Sequence, residues 1–203
     1  MLSQLWYGTS LIENCRCEEG TAQRRLALQL DPLSTVSHVA LGLELARHRR
    51  YQEALASVNQ ALELDPGNTD AHGALGWIYL QQGKQRAAID EFETAARLSS
   101  NSPSMIARLA NGYGLVGRTD DARRLLRSLE ERARTESIAP IFFVHVLAGL
   151  GEHDRAFAKL GEMVAGGWRG VLNVDSSLTP LYPDPRFAEL GRRFKKVAPC
   201  PSH

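Results

Sequence analysis

The chain has 203 residues, of which 43% are hydrophobic and 23% charged, and its formal net charge is +1 at pH 7. Such a balance provides no global field that would attract nucleic acid or an anionic membrane, and no apolar run approaches the roughly 20 residues of a membrane helix. We therefore expect no nucleic-acid or membrane binding, and no signal peptide at residues 1–11. We place the protein in the cytoplasm, or in the periplasm if it belongs to a membrane-anchored regulator.

The chain repeats itself with a period of 34 residues, without insertion over four units. The pairs that show the period first are Leu41-Gly42, Leu75-Gly76, Leu109-Ala110 and Phe143-Val144. Alanines follow at the same interval, at Ala54, Ala88, Ala122 and Ala156. A fixed period of this length indicates stacked supersecondary units, none of which buries its apolar face alone.

Each unit is predicted to form two amphipathic helices joined by a tight turn. In the third unit, residues 70–82 carry Leu75 and Ile78 at helical spacing, and residues 85–98 carry Ile89 and Phe92 on one stripe. Glycines that can close the first helix with a positive φ recur at Gly83, Gly117 and Gly151. Small residues such as Gly76 are expected to let the two helices of a hairpin approach closely.

The motif Leu-Gly-x-x-Tyr/Leu, then Ala, Phe/Leu/Val and Ala, with Asp-Pro at the exit, resembles the tetratricopeptide repeat (TPR). The resemblance covers residues 1–167, with units near 1–34, 35–68, 69–102, 103–136 and 137–167. It implies an all-α fold, a right-handed α-solenoid of stacked helix-turn-helix hairpins. In the first unit Gly20 and Arg24 replace packing residues, which we expect an edge repeat to tolerate because one of its faces meets water.

The end of the chain leaves the repeat pattern. Residues 168–183 are predicted to be an irregular connection, and 198–203 a disordered tail. Between them, Asp184 and Pro185 open a capping helix over residues 184–197, with Asp184 as N-cap and a stripe that includes Phe187, Leu190 and Phe194. The motif Leu-Tyr-Pro-Asp-Pro-Arg-Phe resembles the end of TPR segments in bacterial signalling proteins, beside winged-helix regulators, Ser/Thr kinases or cyclases.

The TPR resemblance implies a concave groove lined by the first helix of each unit. The predicted peptide-binding residues of this groove are Val39, Leu43, Trp77, Leu80, Arg108, Asn111, Ile141 and His145. We interpret Trp77 as an exposed aromatic anchor, since Leu75 and Ile78 already supply the core. Asn111 would bond a peptide backbone. The structural alternatives are a tryptophan packed on the neighbouring helix and a solvated asparagine.

Several more specific functions have little support in the residues. Chaperone-binding TPR domains hold a terminal carboxylate with Lys, Asn and Arg, but the matching positions here carry Val39, Leu43, Ala74 and Ser104, and only Arg108 remains. No carboxylate-clamp chaperone binding is therefore expected. There is no phosphate loop, catalytic triad or metal-binding helix motif, so we expect no enzyme activity and no cofactor.

Two further patterns have simple structural interpretations. His38 and His72 share one repeat position, which could suggest a metal, but no carboxylate or thiol completes a ligand set, so we expect half-buried imidazoles and no metal. Arginines make residues 123–134 basic, yet acidic residues are interspersed, and we expect a solvated face.

The residues thus predict a non-catalytic protein–protein interaction scaffold that binds a peptide or protein segment in its groove. The alternative is a sensory or regulatory TPR segment of a larger bacterial signalling or transcription-regulating protein. Homodimerisation stays open in both cases.

Overall fold

The computed structural model describes residues 17–166 and 176–193, and all regular structure in these ranges is helical. The predicted all-α class is confirmed. The helices are α1 Cys17–Leu30, α2 Thr35–Arg47, α3 Tyr51–Leu64, α4 Thr69–Gln81, α5 Gln85–Leu98, α6 Pro103–Leu115, α7 Thr119–Arg132, α8 Pro140–Gly149, α9 His153–Ala165 and α10 Pro185–Arg193, with a 3-10 helix at Ser176–Leu181. Predictions for residues 1–16, 167–175 and 194–203 lie outside the described residues.

The described chain divides into two compact halves, residues 17–98 and residues 99–193. The N-terminal half holds α1 to α5, and the C-terminal half holds α6 to α10 and the 3-10 helix. In each half the hairpin partners are packed together, α2 with α3, α4 with α5, α6 with α7 and α8 with α9. These hairpins lie within the second to fifth predicted repeats. None of the described helices combines the length and apolar character that crossing a membrane requires.

Small residues set the distance between the helices of a hairpin, as the sequence predicted. A Cβ atom at Gly76 would lie 2.7 Å from the ring of Phe92, and one at Gly42 would lie 3.0 Å from the carbonyl oxygen of Ala54. The first distance is shorter than a Cβ contact tolerates and the second is tighter than most such contacts, so glycine at these positions lets α2 and α4 approach α3 and α5. The alanines Ala54 and Ala88 on the opposing helices expose no surface.

The helix ends also follow the sequence. The Ser34 hydroxyl accepts a hydrogen bond from the Ser37 amide at 3.3 Å, and the Asn68 side chain accepts one from the Ala71 amide at 2.9 Å. The three turn glycines have the predicted positive φ, 72° at Gly83, 82° at Gly117 and 72° at Gly151.

Arg24, which the sequence predicts to replace a packing residue in an edge repeat, is buried. Arg24 is only 7% exposed, because α1 packs against α2, where Glu44 takes the place of the buried Ile78 and Val146 of later repeats. Burial lowers the pKa of Arg24, and the charge of Glu44 opposes that shift. Glu44 also lies 3.1 Å from His48 Nε2 and 3.7 Å from Arg47 Nε. A buried charge cluster therefore joins the first two described helices.

Residues 176–181 have more regular structure than predicted. Within the predicted irregular connection, Ser176–Leu181 forms a 3-10 helix whose Leu178 and Leu181 expose no surface. The predicted helix after it is present as α10, where Asp184 Oδ1 accepts a hydrogen bond from the Arg186 amide at 2.9 Å. Phe187 is buried on its stripe, and α10 packs against α9.

Candidate peptide-binding faces

The predicted groove residues fall into the two halves, and each half is described by itself. Those on the first helices of the N-terminal half are Val39, Leu43, Trp77 and Leu80, and those of the C-terminal half are Arg108, Asn111, Ile141 and His145. The sequence placed these positions on an exposed face. The structure leaves Leu43, Trp77, Leu80, Arg108 and Ile141 partly exposed but buries Val39, Asn111 and His145.

In the N-terminal half, α2 and α4 pack side by side and leave Leu43, Trp77 and Leu80 partly exposed. We call these three side chains the α2–α4 face. Leu43 also packs against the hydrophobic core, and Val39 belongs to that core, so its expected exposure is wrong. The reason is the direct contact of α2 with α4, which covers the side of α2 that carries Val39.

A side-chain amide holds the indole of Trp77 in place. The Gln81 amide is satisfied when its nitrogen donates to the Ala46 carbonyl oxygen at 3.0 Å and its oxygen accepts from Trp77 Nε1 at 2.5 Å. Gln81 therefore connects the tryptophan of α4 to the backbone of α2. Sequence reasoning missed this contact, although Gln81 lies one turn after Trp77 on the same helix.

A second apolar group of the N-terminal half lies at the turn between α1 and α2. Leu30, Leu33 and Val36 are 61%, 71% and 62% exposed, more than other large hydrophobic residues of the described ranges. Val36 holds the second position of its repeat, which the TPR pattern assigns to the groove, whereas Leu33 lies in the turn itself.

In the C-terminal half, Asn111 is buried, 2% exposed, and its side-chain nitrogen bonds the backbone of its own chain. Its Nδ2 donates to the main-chain carbonyl oxygens of His145, at 2.8 Å, and Ser177, at 3.1 Å. The predicted chemistry, an amide that bonds a peptide backbone, is therefore present, but the backbone is that of this chain. The alternative of a solvated asparagine is wrong.

Close approach of α6 and α8 explains why Asn111 and His145 are buried. A Cβ at Gly149 would lie 2.5 Å from the Asn111 carbonyl oxygen, and one at Gly114 would collide with the backbone of Gly149. The two helices are thus in backbone contact at this point. Gly114 and Gly149 are 35 residues apart, so the 34-residue period does not reveal their contact.

The two histidines at one repeat position make the same bond. His38 Nε2 is 2.9 Å from the Pro32 carbonyl oxygen, and His72 Nε2 is 3.1 Å from that of Pro66. His72 Nδ1 is also 2.6 Å from Glu91. The rings are partly buried and tie the start of a first helix to the preceding turn. Among residues 17–166 and 176–193 no group of three or more His, Cys, Asp or Glu is arranged to hold a metal ion.

Arginines in and beside α7 face carboxylates. Arg118 Nε lies 2.7 Å from Asp121, and Arg132 Nη2 lies 2.9 Å from Glu136. Hydrogen bonding to Arg118 is the main cause that lowers the pKa of Asp121. The charges of these two arginines are therefore balanced by neighbouring carboxylates on a solvated face.

Helical hairpins of 34 residues with small residues at their contacts define the TPR type of α-solenoid. Comparisons with known proteins agree with this fold. The family model described as tetratricopeptide repeat matches residues 39–103. No curated protein sequence matches the chain.

Solved structures match a larger part of the chain than the family model does. TTC0263, a thermophilic TPR protein in Thermus thermophilus, is 16% identical with a TM-score of 0.64, covering 96% of this chain and 96% of that one. A crystal structure of MamA protein is 16% identical with a TM-score of 0.50, covering 98% and 97% of the two chains. MamA AMB-1 is 22% identical with a TM-score of 0.50, covering 66% and 79%. At these identities the structures show a shared fold.

Proposed function

We propose that this protein is a non-catalytic interaction scaffold whose α2–α4 face binds an apolar segment of another protein. The observation that carries the proposal is the position of Trp77. The core at this level is filled by Leu75 and Ile78, both buried, while the indole remains partly exposed. An aromatic side chain that the core does not need is a typical anchor for a binding partner.

The indole is also held ready for binding. With the Gln81 amide in the orientation that satisfies both its groups, its oxygen accepts from the indole N–H and its nitrogen donates to Ala46, which restricts the ring orientation before any partner arrives. A side chain ordered in advance loses less conformational entropy on binding, and more of the contact energy appears as affinity. Leu43 on α2 and Leu80 on α4 are the other partly exposed apolar side chains of this face.

The chemistry of the face selects the partner class. Positions that hold a terminal carboxylate in chaperone-binding TPR domains carry Val39, Leu43 and Ala74 in this half, none of which donates a side-chain hydrogen bond. The matching segment is therefore an apolar helix or extended strand of a protein, not a free acidic terminus.

The test is binding of the full chain to an array of proteome-derived peptides, repeated with Trp77→Ala. We expect the substitution to lower the affinity for specifically bound peptides at least about tenfold, the usual effect of removing an aromatic anchor. Leu64→Ala is the matched control, because Leu64 is 41% exposed but lies on the second helix of its hairpin. Equal binding by Trp77→Ala and the unchanged chain would refute the proposal.

We propose as the second candidate a regulatory TPR segment of a larger bacterial signalling protein. The residues that carry the tail resemblance form a folded element, with the rings of Tyr182 and Phe187 4.8 Å apart and Arg186 Nη1 2.8 Å from Asp154 on α9. The genomic reading frame tests it. An upstream kinase, cyclase or winged-helix domain in frame supports it, and an in-frame stop directly before this chain contradicts it.

A further inference from the structure

The C-terminal half contains an internal example of segment binding. Residues 176–181 lie against α8, and Asn111 of α6 reaches the same segment through the Ser177 carbonyl oxygen at 3.1 Å. Asn111 holds the ninth position of its repeat, a groove position in the TPR pattern. We call the side of these helices that carries Asn111 and His145 the α6–α8 face.

The contact has two features of peptide recognition. Asn111 bonds a main-chain carbonyl group, which any peptide offers, while Leu178 and Leu181 supply two fully buried side chains three residues apart. Main-chain bonds position a bound segment, and a few buried apolar anchors carry most of its binding energy. A single 3-10 turn, with Pro180 inside it, places both leucines on one side of the segment.

Arg186, which follows this segment in the chain, makes an exposed and partly electrostatic contact with α9. The Arg186 guanidinium lies over the Phe157 ring at 4.3 Å and pairs with Asp154, whose side chain is 94% exposed. Exposed ion pairs contribute little free energy, so this anchor alone does not hold the segment in place. Local opening of residues 176–193 therefore costs the Asn111 bond and the burial of Leu178, Leu181, Phe187 and Leu190.

We infer that the α6–α8 face is a peptide-binding site that this chain occupies with its own residues 176–181. A partner segment with two leucine-like side chains three residues apart, and a free carbonyl group before the first, binds there by displacing them. The inference rests on the proposed function in one respect, that first-helix faces bind protein segments. It concerns the other half of the chain, so the two are tested separately.

The first experiment weakens the contact of residues 176–181 with the α6–α8 face in the full chain and then adds a peptide that can bind there. Leu178→Asp with Leu181→Asp removes both anchors, and the probe is a fluorescein-labelled peptide with the sequence of residues 176–193. We expect this peptide to bind the double variant about tenfold or more tightly than the unchanged chain, whose own segment competes at a high effective concentration. A peptide with the same two Leu→Asp changes is the matched control and should not bind.

Asn111→Ala in the double variant should lower the affinity for the labelled peptide about fivefold, the effect of one lost hydrogen bond. Trp77→Ala in that background should leave the peptide affinity unchanged. Failure of the peptide to bind a folded double variant would overturn this inference, whatever Trp77→Ala does to other partners. Suppose instead that Trp77→Ala leaves the binding of other partners unchanged while the labelled peptide still binds the double variant. That result would refute only the proposed function.

Hydrogen exchange of the unchanged chain provides the second measurement, which decides the matter if circular dichroism shows that the double variant does not fold. The Tyr182 and Asp184 amides bond the Thr179 and Leu181 carbonyl oxygens at 3.2 and 3.1 Å. If the segment opens locally, these amides should exchange at least about tenfold faster than that of Ala110 in α6. Exchange at the same rate, with the same denaturant dependence, would make the segment an ordinary part of the core and overturn the inference.

Discussion

Arg49 has the same left-handed backbone conformation as Gly83, the residue at the same position of the next repeat. Its φ is 59°, against 72° at Gly83, and Gly117 and Gly151 continue the series. A side chain at positive φ is strained, whereas glycine is not. The hairpin α2–α3 therefore contains a turn that the other hairpins make without strain.

Arg49→Gly should stabilise the protein. The relief of left-handed strain is about 1 kcal/mol, reduced by the extra freedom of glycine in the unfolded chain. Urea unfolding should show a higher midpoint with an unchanged slope. Gly83→Arg is the reciprocal control and should lower the midpoint. A lower midpoint for Arg49→Gly would show that the Arg49 side chain stabilises the turn more than its backbone strains it.

Gly149→Ala should destabilise the C-terminal half. The added methyl would lie 2.5 Å from the Asn111 carbonyl oxygen, so α6 and α8 must separate. We expect a loss of about 1–3 kcal/mol in the free energy of unfolding, the usual effect of overpacking.

Gly161→Ala is the matched control for that substitution. Gly161 lies within α9, and a Cβ there meets nothing within 4 Å. Alanine should stabilise this helix by about 1 kcal/mol, because glycine is a poor helix former. Thermal unfolding of both variants, followed by circular dichroism, checks the opposite signs. The same sign for both would contradict the close packing of α6 and α8.

The buried pair of Arg24 and Glu44 should show strong coupling. Glu44→Leu leaves the Arg24 charge buried without its nearby carboxylate, and we expect a loss of about 3–5 kcal/mol. Arg24→Met combined with Glu44→Leu removes both charges and should recover most of that loss. A double-mutant cycle by chemical denaturation measures the coupling, and additive effects would show that the two charges do not interact.

The stability of the start of α10 should depend on pH through Asp184. Hydrogen bonds from the Arg186 side chain and amide lower the pKa of Asp184 to about 2 from its ordinary value of 3.8. The charged form is therefore favoured in the folded state. Its contribution is complete above about pH 4 and is lost as the pH falls toward 2.

Asp184→Asn removes this titration and is the matched variant. The melting temperature of the unchanged chain should exceed that of Asp184→Asn at pH 5, and the difference should shrink as the pH falls from 4 to 2. Melting curves over this range provide the measurement. A difference that stays constant down to pH 2 would contradict the assignment to the Asp184 carboxylate.

Much of the scaffold could be predicted because it is determined by residues close together in the sequence. The apolar stripes and the turn glycines act within one hairpin, where sequence spacing maps directly onto helical geometry. The prediction of an exposed Trp77 is likewise a local inference, since Leu75 and Ile78 occupy the buried side of the same helix, and the structure leaves the indole partly exposed.

The linear order of residues specifies the repeating helices, their turns and the positions that vary between repeats. Which of these varying positions face outward depends on tertiary contacts. Gly114 and Gly149 bring α6 against α8, and residues 176–181 return to cover Asn111, 66 residues before Ser177 in the chain. Arg24 is buried for the same kind of reason, the packing of α1 against α2. Contacts between distant segments depend on packing in three dimensions, which a periodic pattern does not encode.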